Sequence, residues 1–387
     1  MRDVLIAGIG STPFGRYPDT AIQALAARAA DAAIRESGFD RSEIGALYLG
    51  NFVSGPLNGQ EVLAGLVADS LSLPQIPCTK VEGACASGGI AFRHAYLAVA
   101  TGLCDAALAV GVETMTHADT ATATAALNCA MDNRSDGLSG LTFPGLFGLA
   151  WQVHAERYGT TREQVSAVVA KNKGNGLLNP LAQMGARLDA DQIVQSPMIC
   201  DPLRLFDCCP TSDGAAAVLL VASDRRRSIG PPPVRVRASA QTRGSARIAG
   251  HADLGSFDAT VAAAREAYRQ AGVTAADVDV VELHDCFSIA EILDGEDLGL
   301  MPRGHGGGYA AEGRTRADGD RPINPSGGLL SKGHPVGATG IGQIYEIVLQ
   351  LRGAHPNQVL GARLGLTHNL GGTGVACTVN ILERFDA

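Results

Sequence analysis

Two glycine-rich turns in this chain present side chains suited to acyl-transfer chemistry. The first, residues 82–89, reads EGACASGG and presents Cys85, and the second, residues 332–340, reads KGHPVGATG and presents His334. A helix beginning just after Cys85 would aim unpaired N–H groups and its positive dipole end at the sulfur, which favours a thiolate. The small neighbours allow a thioester carbonyl to approach the backbone, where the Cys85 N–H can donate to a developing oxyanion. The two turns therefore predict thiolate chemistry on an acyl group.

Each of these residues also has a simpler interpretation. A free cysteine is most often a buried small apolar residue, so Cys85 taken alone favours that role. His334, which precedes a proline, can be a hydrogen-bonded turn histidine, and His284 can be a core histidine. The catalytic interpretation therefore depends on how these residues are arranged together.

An internal repeat relates the two turns. Residues 38–49 align without gaps to residues 272–283, and each copy follows an alanine-rich helix pattern and leads into an apolar run. The glycine that opens each copy is a predicted helix C-cap. At nearly the same offset Cys85 falls opposite His334, so a duplicated fold would place nucleophile and base at equivalent turns. The N-termini of both following helices would then point toward one central cleft.

Four motifs together resemble one family. They are the Cys85 turn, the HDCF sequence at 284–287, the NPSGG sequence at 324–328 with the following Gly-His-Pro, and the glycine pair at 371–372. They occur in the order typical of the thiolase superfamily, and the resemblance covers nearly the whole chain. HDCF resembles the sterol-carrier-protein type of thiolase, and EGACASGG is similar to archaeal-type acetoacetyl-CoA thiolases.

The resemblance implies an α/β thiolase fold, with two duplicated βαβ-type halves in a five-layer αβαβα arrangement and an inserted loop domain. We expect an N-terminal half at residues 1–225 that contains the inserted domain at 114–205, and a C-terminal half at 234–387. Residues 223–233, which end in Gly-Pro-Pro-Pro, form the predicted linker. Strands are expected at 4–9, 44–49, 106–112, 215–221 and 375–382, one good helix in the insertion at 162–172, and a surface loop at 304–319.

The resemblance also implies roles for the site residues. Cys85 would take the acyl group, and His334 would activate its sulfur and help to stabilise the thioester oxyanion. His284 occupies the place where ordinary thiolases carry an asparagine that supports an oxyanion hole. The N–H of Gly371, with that of Cys85, resembles the second oxyanion hole.

The chain departs from ordinary thiolases at their late Cys-x-Gly motif. Asn369 stands where those enzymes carry a second catalytic cysteine, and the sterol-carrier type shares this departure, which points to Cys286 as the acid/base. His284 and Cys286 are two residues apart after a strand-like run, so extended geometry would project both side chains to one side. Asp285 between them would face the opposite side and is predicted to be structural.

Composition limits the class of partner. The chain has 387 residues, of which 46% are hydrophobic and 18% charged, and its formal net charge is −8. A globular chain of this size can hold two core domains and an insertion, and the acidic balance without a basic stripe argues against nucleic acid. Coenzyme A thioesters are the expected substrates, with no tightly bound cofactor. The residues that bind CoA stay unknown, since the candidates for its phosphates each carry little weight: Lys171, Lys173, Arg187 and Arg204.

The sequence shows neither a signal peptide nor an apolar run long enough to span a membrane, so we expect a cytoplasmic protein. Its nine cysteines have no framework spacing and no C-x-x-C half-site. They are therefore expected to be reduced thiols in that compartment, with no metal site.

The sequence thus predicts a thiolase that makes or cleaves acetoacetyl-CoA or another 3-oxoacyl-CoA through acyl-Cys85. Two alternatives remain: a thiolase-fold acyltransferase with a non-CoA acceptor, and a non-catalytic subunit of a multi-enzyme assembly. The resemblance implies a homodimer or homotetramer. It also implies association with a small zinc-ribbon/OB-fold protein and a hydroxymethylglutaryl-CoA synthase as a partner hypothesis.

Overall fold

The computed structural model describes residues 1–227 and 230–385, so positions 228–229 of the predicted linker and 386–387 of the C-terminal half lie outside the described residues. Its strands, in chain order, are β1 (Val4–Ser11), β2 (Ala46–Gly50), β3 (Cys78–Val81), β4 (Ala106–Glu113), β5 (Met198–Cys200), β6 (Leu203–Arg204), β7 (Gly214–Ala222), β8 (Val234–Arg243), β9 (Val280–Glu282), β10 (Leu364–Gly371) and β11 (Ala376–Arg384). The five strands expected from the sequence are all present, with ends shifted by one or two residues.

The helices alternate with these strands in both halves of the chain. In chain order they are α1 (Ile22–Ser37), α2 (Ser54–Asn58), α3 (Leu63–Ser70), α4 (Ser87–Ala100), α5 (Thr120–Asn128), α6 (Phe143–Tyr158), α7 (Arg162–Gly176), α8 (Ala190–Gln195), α9 (Asp258–Ala271), α10 (Ser288–Asp297), α11 (Gly306–Ala311), α12 (Gly328–Lys332) and α13 (Thr339–Arg352). None of the helices in the described ranges combines the length and the apolar character that a membrane span requires.

Nine of the strands form one mixed sheet in the order β3-β2-β4-β7-β1-β8-β11-β10-β9. The two halves of this sheet meet where β1 pairs with β8, at Leu5 opposite Arg235 and Ile6 opposite Val234. Parallel pairing occurs near each outer edge, between β2 and its neighbours β3 and β4, and between β9 and β10. Parallel neighbours need crossover connections, which the intervening helices supply.

The helices form three layers around the two halves of the sheet. Helices α4 and α13 pack against each other and against strands of both halves, so they make the central layer. Helices α1 and α3 cover the outer face of the N-terminal half, and α9 and α10 cover that of the C-terminal half. The layer order is therefore helix, sheet, helix, sheet, helix, as the thiolase fold predicts.

The sequence repeat corresponds to the same order of elements in each half. Helix α1 ends at Gly38 with φ of 68°, and α9 ends at Gly272 with φ of 67°. Both glycines adopt the left-handed conformation that a side chain disfavours. A single 3₁₀ turn then leads into β2 or β9. These two caps set where the polypeptide turns back into the sheet.

The insertion contains more helix than the sequence predicts. Besides α7, residues 114–205 form α5, α6 and α8, so the expectation of one good helix was wrong. Helix α6 lacks a clear polar face, because apolar residues surround most of its circumference and the polar His154 is buried together with Leu146 and Trp151. Such a helix has little amphipathic periodicity to detect. The predicted loop at 304–319 likewise contains α11, with Gly306 and Gly307 buried.

Candidate active site

Cys85 lies in a short 3₁₀ turn, Ala84–Ala86, that runs directly into α4. The Ser87 hydroxyl fixes this turn, because it donates to the Ala84 carbonyl at 2.6 Å and accepts from the Gly83 N–H at 3.0 Å. Ala84 has φ of 50°, a left-handed conformation that is uncommon outside glycine. The turn therefore presents Cys85 at the N-terminal end of α4, as the sequence predicts.

His334 lies in the turn before α13, where its hydrogen bonds define which ring nitrogen carries the proton. Its backbone N–H donates to the Ser212 hydroxyl at 3.0 Å. The Thr339 hydroxyl donates to the Pro335 carbonyl at 3.0 Å, so its oxygen accepts from His334 Nδ1 at 2.6 Å. With the proton on Nδ1, Nε2 presents a lone pair. This buried Nε2 has no hydrogen-bond partner among the described residues, and a lone pair there can accept a proton.

The HDCF motif begins two residues after β9 and brings two more side chains to the same place. The rings of His284 and His334 stand edge to face, with centroids 4.9 Å apart. The Cys85 sulfur and one ring nitrogen of each histidine lie within 4.8 Å of one another. Cys286, with the other three residues, lines a cavity of about 230 Å³. The structure thus brings Cys85, His284, Cys286 and His334 together.

Close approach of two helix N-termini makes this arrangement possible. A Cβ atom added at Gly340, in the first turn of α13, would lie 2.3 Å from the backbone nitrogen of Gly89 in α4. A Cβ atom at Gly88 would lie 2.8 Å from the Gly337 carbonyl oxygen. No side chain fits at such distances. The glycines of both turns are therefore what allows Cys85 and His334 to share one cavity.

Asp285 has a structural role in the interior of the protein. Its carboxylate is fully buried and accepts hydrogen bonds from the backbone N–H groups of Leu329 at 2.7 Å and Leu330 at 3.3 Å. It also accepts from the Asn172 side chain at 2.8 Å. Asp285 therefore satisfies N–H groups at the start of α12 and ties that helix to α7.

The glycine pair at 371–372 lies against the Cys85 turn, but its two members have different surroundings. A Cβ atom at Gly371 would lie 2.2 Å from the Gly83 carbonyl oxygen, so this glycine permits close contact between β10 and the turn. The neighbouring Gly372 lines the cavity, and its backbone N–H interacts with the Cys85 thiol. The N–H group that interacts with the Cys85 sulfur belongs to Gly372, and the oxyanion role of the Gly371 N–H stays a prediction.

Two residues that the sequence analysis did not select help to hold the site. Glu113, at the end of β4, is fully buried and accepts from the Phe52 N–H at 2.9 Å and from the Gly337 N–H at 3.1 Å. It therefore links the His334 turn to the N-terminal half. Thr339 supports His334. An acidic residue ending an otherwise apolar strand was a detectable signal for Glu113, whereas a threonine at a helix start is common.

The lining of the cavity is uncharged. Among the described residues that line it, none is Lys, Arg, Asp or Glu. Aromatic side chains contribute much of the wall, including Phe143 and Phe147 of α6, and Phe147 stacks on Phe287 with centroids 4.8 Å apart. None of the four basic residues considered for the phosphates of CoA lines the cavity. Lys171 instead donates to Glu291, and Lys173 to the Leu330 carbonyl, both at 2.5 Å.

Burial decides the protonation of the site in the absence of substrate. It raises the pKa of Cys85 to about 12, although the backbone N–H groups of Gly372 and of Cys85 itself act in the opposite direction. It also lowers the pKa of His334 to about 3, and that of His284 well below its usual range. The expectation of a resting thiolate was therefore wrong. Cys85 is a neutral thiol beside neutral imidazoles, and its proton must move when substrate binds.

This protonation state predicts how Cys85 reacts with iodoacetamide. A thiol whose pKa lies near 12 is protonated at neutral pH, so the thiolate fraction and the labelling rate should rise roughly tenfold per pH unit between about pH 7 and pH 10. Peptide mass spectrometry of Cys85 over time at each pH measures this rate. A rate that levels off near neutral pH would contradict the prediction. The exposed Cys129 provides the unburied reference in the same samples.

Comparison with known proteins agrees with this geometry. Residues 4–224 match the family model "Thiolase, N-terminal domain" and residues 240–384 match "Thiolase C-terminal domain-like". The chain is 46% identical over 385 residues to the acetyl-CoA acetyltransferase of Methanothermobacter thermautotrophicus, covering 99% of this chain and 100% of that protein. The chain belongs to the thiolase family. As a thiolase it is an acyltransferase enzyme that uses CoA thioesters.

Two further similarities bear on the fold and the subtype. The chain is 36% identical over 388 residues to sterol carrier protein 2 of Bos taurus, covering 95% of this chain and 70% of that protein. The solved structure titled "Ltp2-ChsH2(DUF35) aldolase" is similar with a TM-score of 0.85 and 24% identity, covering 98% of this thiolase and 97% of the other chain. At this identity the structural similarity concerns the fold. The family assignment confirms the resemblance deduced from the four motifs.

Proposed function

We propose that this thiolase catalyses the reversible condensation of two acetyl-CoA molecules to acetoacetyl-CoA and CoA, through an acetyl group on Cys85. The observation that carries the proposal is the cavity in which the Cys85 thiol lies beside two neutral histidines, with Cys286 in the same wall. The identity to an acetyl-CoA acetyltransferase over the full chain supports acetyl-CoA as the donor. Intact Cys85, Cys286, His284 and His334 argue against a non-catalytic subunit.

In the first half-reaction, His334 Nε2 accepts the Cys85 proton while the sulfur attacks the thioester carbon. The tetrahedral intermediate collapses to acetyl-Cys85, and the departing CoA sulfur takes the proton back from His334. The backbone N–H groups of Cys85 and Gly372 are the nearest candidates to stabilise the oxyanion. A direct contribution from the Gly371 N–H stays a prediction.

In the second half-reaction, the Cys286 thiol passes its proton to His334 Nε2, and the thiolate then removes a Cα proton from a second acetyl-CoA. The resulting carbanion attacks acetyl-Cys85, and the released Cys85 sulfur takes its proton back from His334. His284 and the protonated His334 each donate an Nε2–H to the enolate oxygen. In thiolysis the order is reversed: the Cys286 thiol protonates the departing acetyl-CoA enolate, and its thiolate takes the proton that His334 had received from Cys85. Neutral His334 then deprotonates CoA for attack on acetyl-Cys85. Burial and the nearby Cys209 and Cys85 raise the pKa of Cys286 well above its usual value, which favours the thiol that thiolytic cleavage requires.

We also propose that the enzyme works in the cytoplasm, in lipid metabolism, as a homodimer or homotetramer with a small zinc-ribbon/OB-fold protein and a hydroxymethylglutaryl-CoA synthase. Three observations support a partner. The cavity lining offers no cation for the phosphates of CoA among its described residues, and the exposed apolar side chains of Ile199 and Leu205 stand at the same cavity. A structurally similar thiolase-fold chain is solved together with a DUF35 protein.

The test is product identification with acetyl-CoA as sole substrate. The purified chain, alone and as isolated with its natural partners, should yield acetoacetyl-CoA and CoA in equal amounts, and intact-protein mass should show one acetyl group. Full activity of the homo-oligomer alone would contradict the need for a partner. An acetyl adduct that transfers only to a non-CoA acceptor would favour the alternative acyltransferase. Absence of both adduct and product in both preparations would overturn the proposal.

A further inference from the structure

Asn369 connects the nucleophile turn to His284. It lies in β10 with 1% of its surface exposed, and its Nδ2 atom donates to the Cys85 carbonyl oxygen at 2.9 Å. The same Nδ2 atom lies 3.2 Å from His284 Nδ1, and Oδ1 accepts from the Gly89 N–H at 3.3 Å. Nothing else in the proposed reaction uses this side chain, which stands where ordinary thiolases carry their second cysteine.

The two backbone partners fix the orientation of the amide. The Cys85 carbonyl can only accept and the Gly89 N–H can only donate, so the NH₂ group must face Cys85 and His284. Since NH₂ has two hydrogens, it can donate one to the Cys85 carbonyl and one to His284 Nδ1. A donor facing Nδ1 requires a lone pair there. The neutral His284 ring must therefore carry its proton on Nε2.

This tautomer is opposite to that of His334. Thr339 leaves His334 with a lone pair on Nε2, which can accept a proton, whereas Asn369 leaves His284 with an N–H on Nε2, which can donate to an oxyanion. Burial lowers the pKa of both rings, so neither gains the second proton that would make the tautomers equivalent. The neighbours of these two rings therefore leave His334 able to accept a proton and His284 able to donate one.

We propose that Asn369 is a positioning residue that holds His284 in the Nε2–H tautomer and fixes it relative to the Cys85 turn. The inference rests on the proposed function, because an Nε2–H donor matters only if an oxyanion forms in this cavity. It also accounts for asparagine at position 369: an amide can donate to Nδ1 and the Cys85 carbonyl while accepting from Gly89. A carboxylate of the same shape cannot donate to either atom.

The first test reads the tautomer directly. In ¹⁵N-histidine NMR spectra of the unliganded enzyme, we expect His284 to carry its proton on Nε2 and His334 on Nδ1, with each resonance assigned from a His284→Gln or a His334→Gln variant. In Asn369→Asp, the His284 proton should move from Nε2 to Nδ1, where the carboxylate can accept it. A wild-type His284 protonated on Nδ1 would overturn the inference, even if Asn369→Asp failed to fold.

The second test measures thiolysis of acetoacetyl-CoA. Asn369→Asp should lower kcat about 10²-fold to 10³-fold with little change in KM, as expected for loss of one oxyanion donor. In a His284→Ala background the same substitution should have much less effect, because Asn369 acts through His284. If the kcat of the His284→Ala/Asn369→Asp double variant falls by the product of the two single-variant factors, Asn369 has a general structural role. That result would contradict the inference.

These two readouts separate the inference from the function on which it rests. An inactive wild type with His284 in the Nε2–H form would refute the proposed reaction while leaving the tautomer assignment intact. An active wild type with His284 in the Nδ1–H form would refute the assignment while leaving the reaction intact. Unfolding temperatures of all variants, measured without substrate, identify any loss that comes from misfolding.

Discussion

Cys85→Ser should form no acetyl adduct on brief incubation with acetyl-CoA and should lose at least about 10⁴-fold in turnover. A serine hydroxyl is far less acidic than even the Cys85 thiol with its raised pKa, and the neutral His334 is too weak a base to deprotonate it. The substitution nearly preserves side-chain volume, so the turn held by Ser87 should still form. Intact-protein mass and a coupled CoA-release assay measure the two effects.

A matched control is Cys104→Ser, because Cys104 is also a partly buried free cysteine but lies after the opposite end of α4. It should acetylate and turn over like the wild type. An acetyl group that persists on Cys85→Ser would show that another residue is the nucleophile. Peptide mapping would then identify it among the remaining cysteines of the cavity, Cys208, Cys209 and Cys286.

The sequence was sufficient for the parts of the fold that repeat a local pattern. The paired segments at 38–49 and 272–283 have a glycine cap, a 3₁₀ turn and a strand at the same positions, and each feature depends on a few adjacent residues. The strands at 106–113 and 214–222 are nearly uninterrupted apolar runs, which is typical of strands buried on both faces. Helix α6 was missed because the apolar Leu149 lies on its exposed face and His154 on its buried face, which weakens the period-3.6 pattern.

The sequence predicted which residues form the candidate site, but not the burial and protonation of those residues. Cys85 and His334 occur in glycine-rich turns that can be recognised locally. Their protonation depends on the residues packed around them, which come from both halves of the chain. The helix terminus beside Cys85 favours a thiolate, but desolvation opposes it more strongly and raises the thiol pKa to about 12. A sequence shows which helix follows a cysteine, but not how completely other segments exclude water from it.

Contacts between segments that are far apart in the chain also could not be predicted from the sequence. Asn369 reaches Cys85 across 284 positions and His284 across 85 positions, and neither contact follows from spacing. Which of Gly371 and Gly372 presents its N–H to the Cys85 sulfur also depends on a contact between distant segments. Both belong to one glycine turn, and only the path of β10 against the Cys85 turn determines which N–H approaches the sulfur.

The site is therefore a neutral assembly that becomes charged only during reaction. Each histidine has its free nitrogen defined by a neighbour, Thr339 for His334 and Asn369 for His284. Glu113 holds the His334 turn against the N-terminal half. In a cavity with uncharged lining, transient charges are little screened, so fixed N–H donors there stabilise an oxyanion more strongly than they would in water.

Cys286→Ala tests whether the two half-reactions use different cysteines. The variant should still take an acetyl group from acetyl-CoA, since that step needs Cys85 and His334. It should accumulate this acetyl-enzyme, because loss of the group that moves the Cα proton should slow condensation and thiolysis about 10²-fold to 10⁴-fold. Intact-protein mass during single turnover, followed by addition of CoA, measures formation and decay of the adduct separately.

Cys286→Ser is the matched comparison, because it replaces the thiol by a hydroxyl of similar size at a position that is 7% exposed. If volume alone mattered, serine would restore turnover. If proton transfer matters, turnover of Cys286→Ser should remain slow, since a serine hydroxyl does not ionise at the pH of the assay. Its acetylation by acetyl-CoA should stay normal. Unchanged turnover in Cys286→Ala would assign the proton transfer to another group, and His284 would then be the nearest candidate. Loss of acetylation together with turnover would instead place Cys286 in the first half-reaction and contradict the separation of roles between the two cysteines.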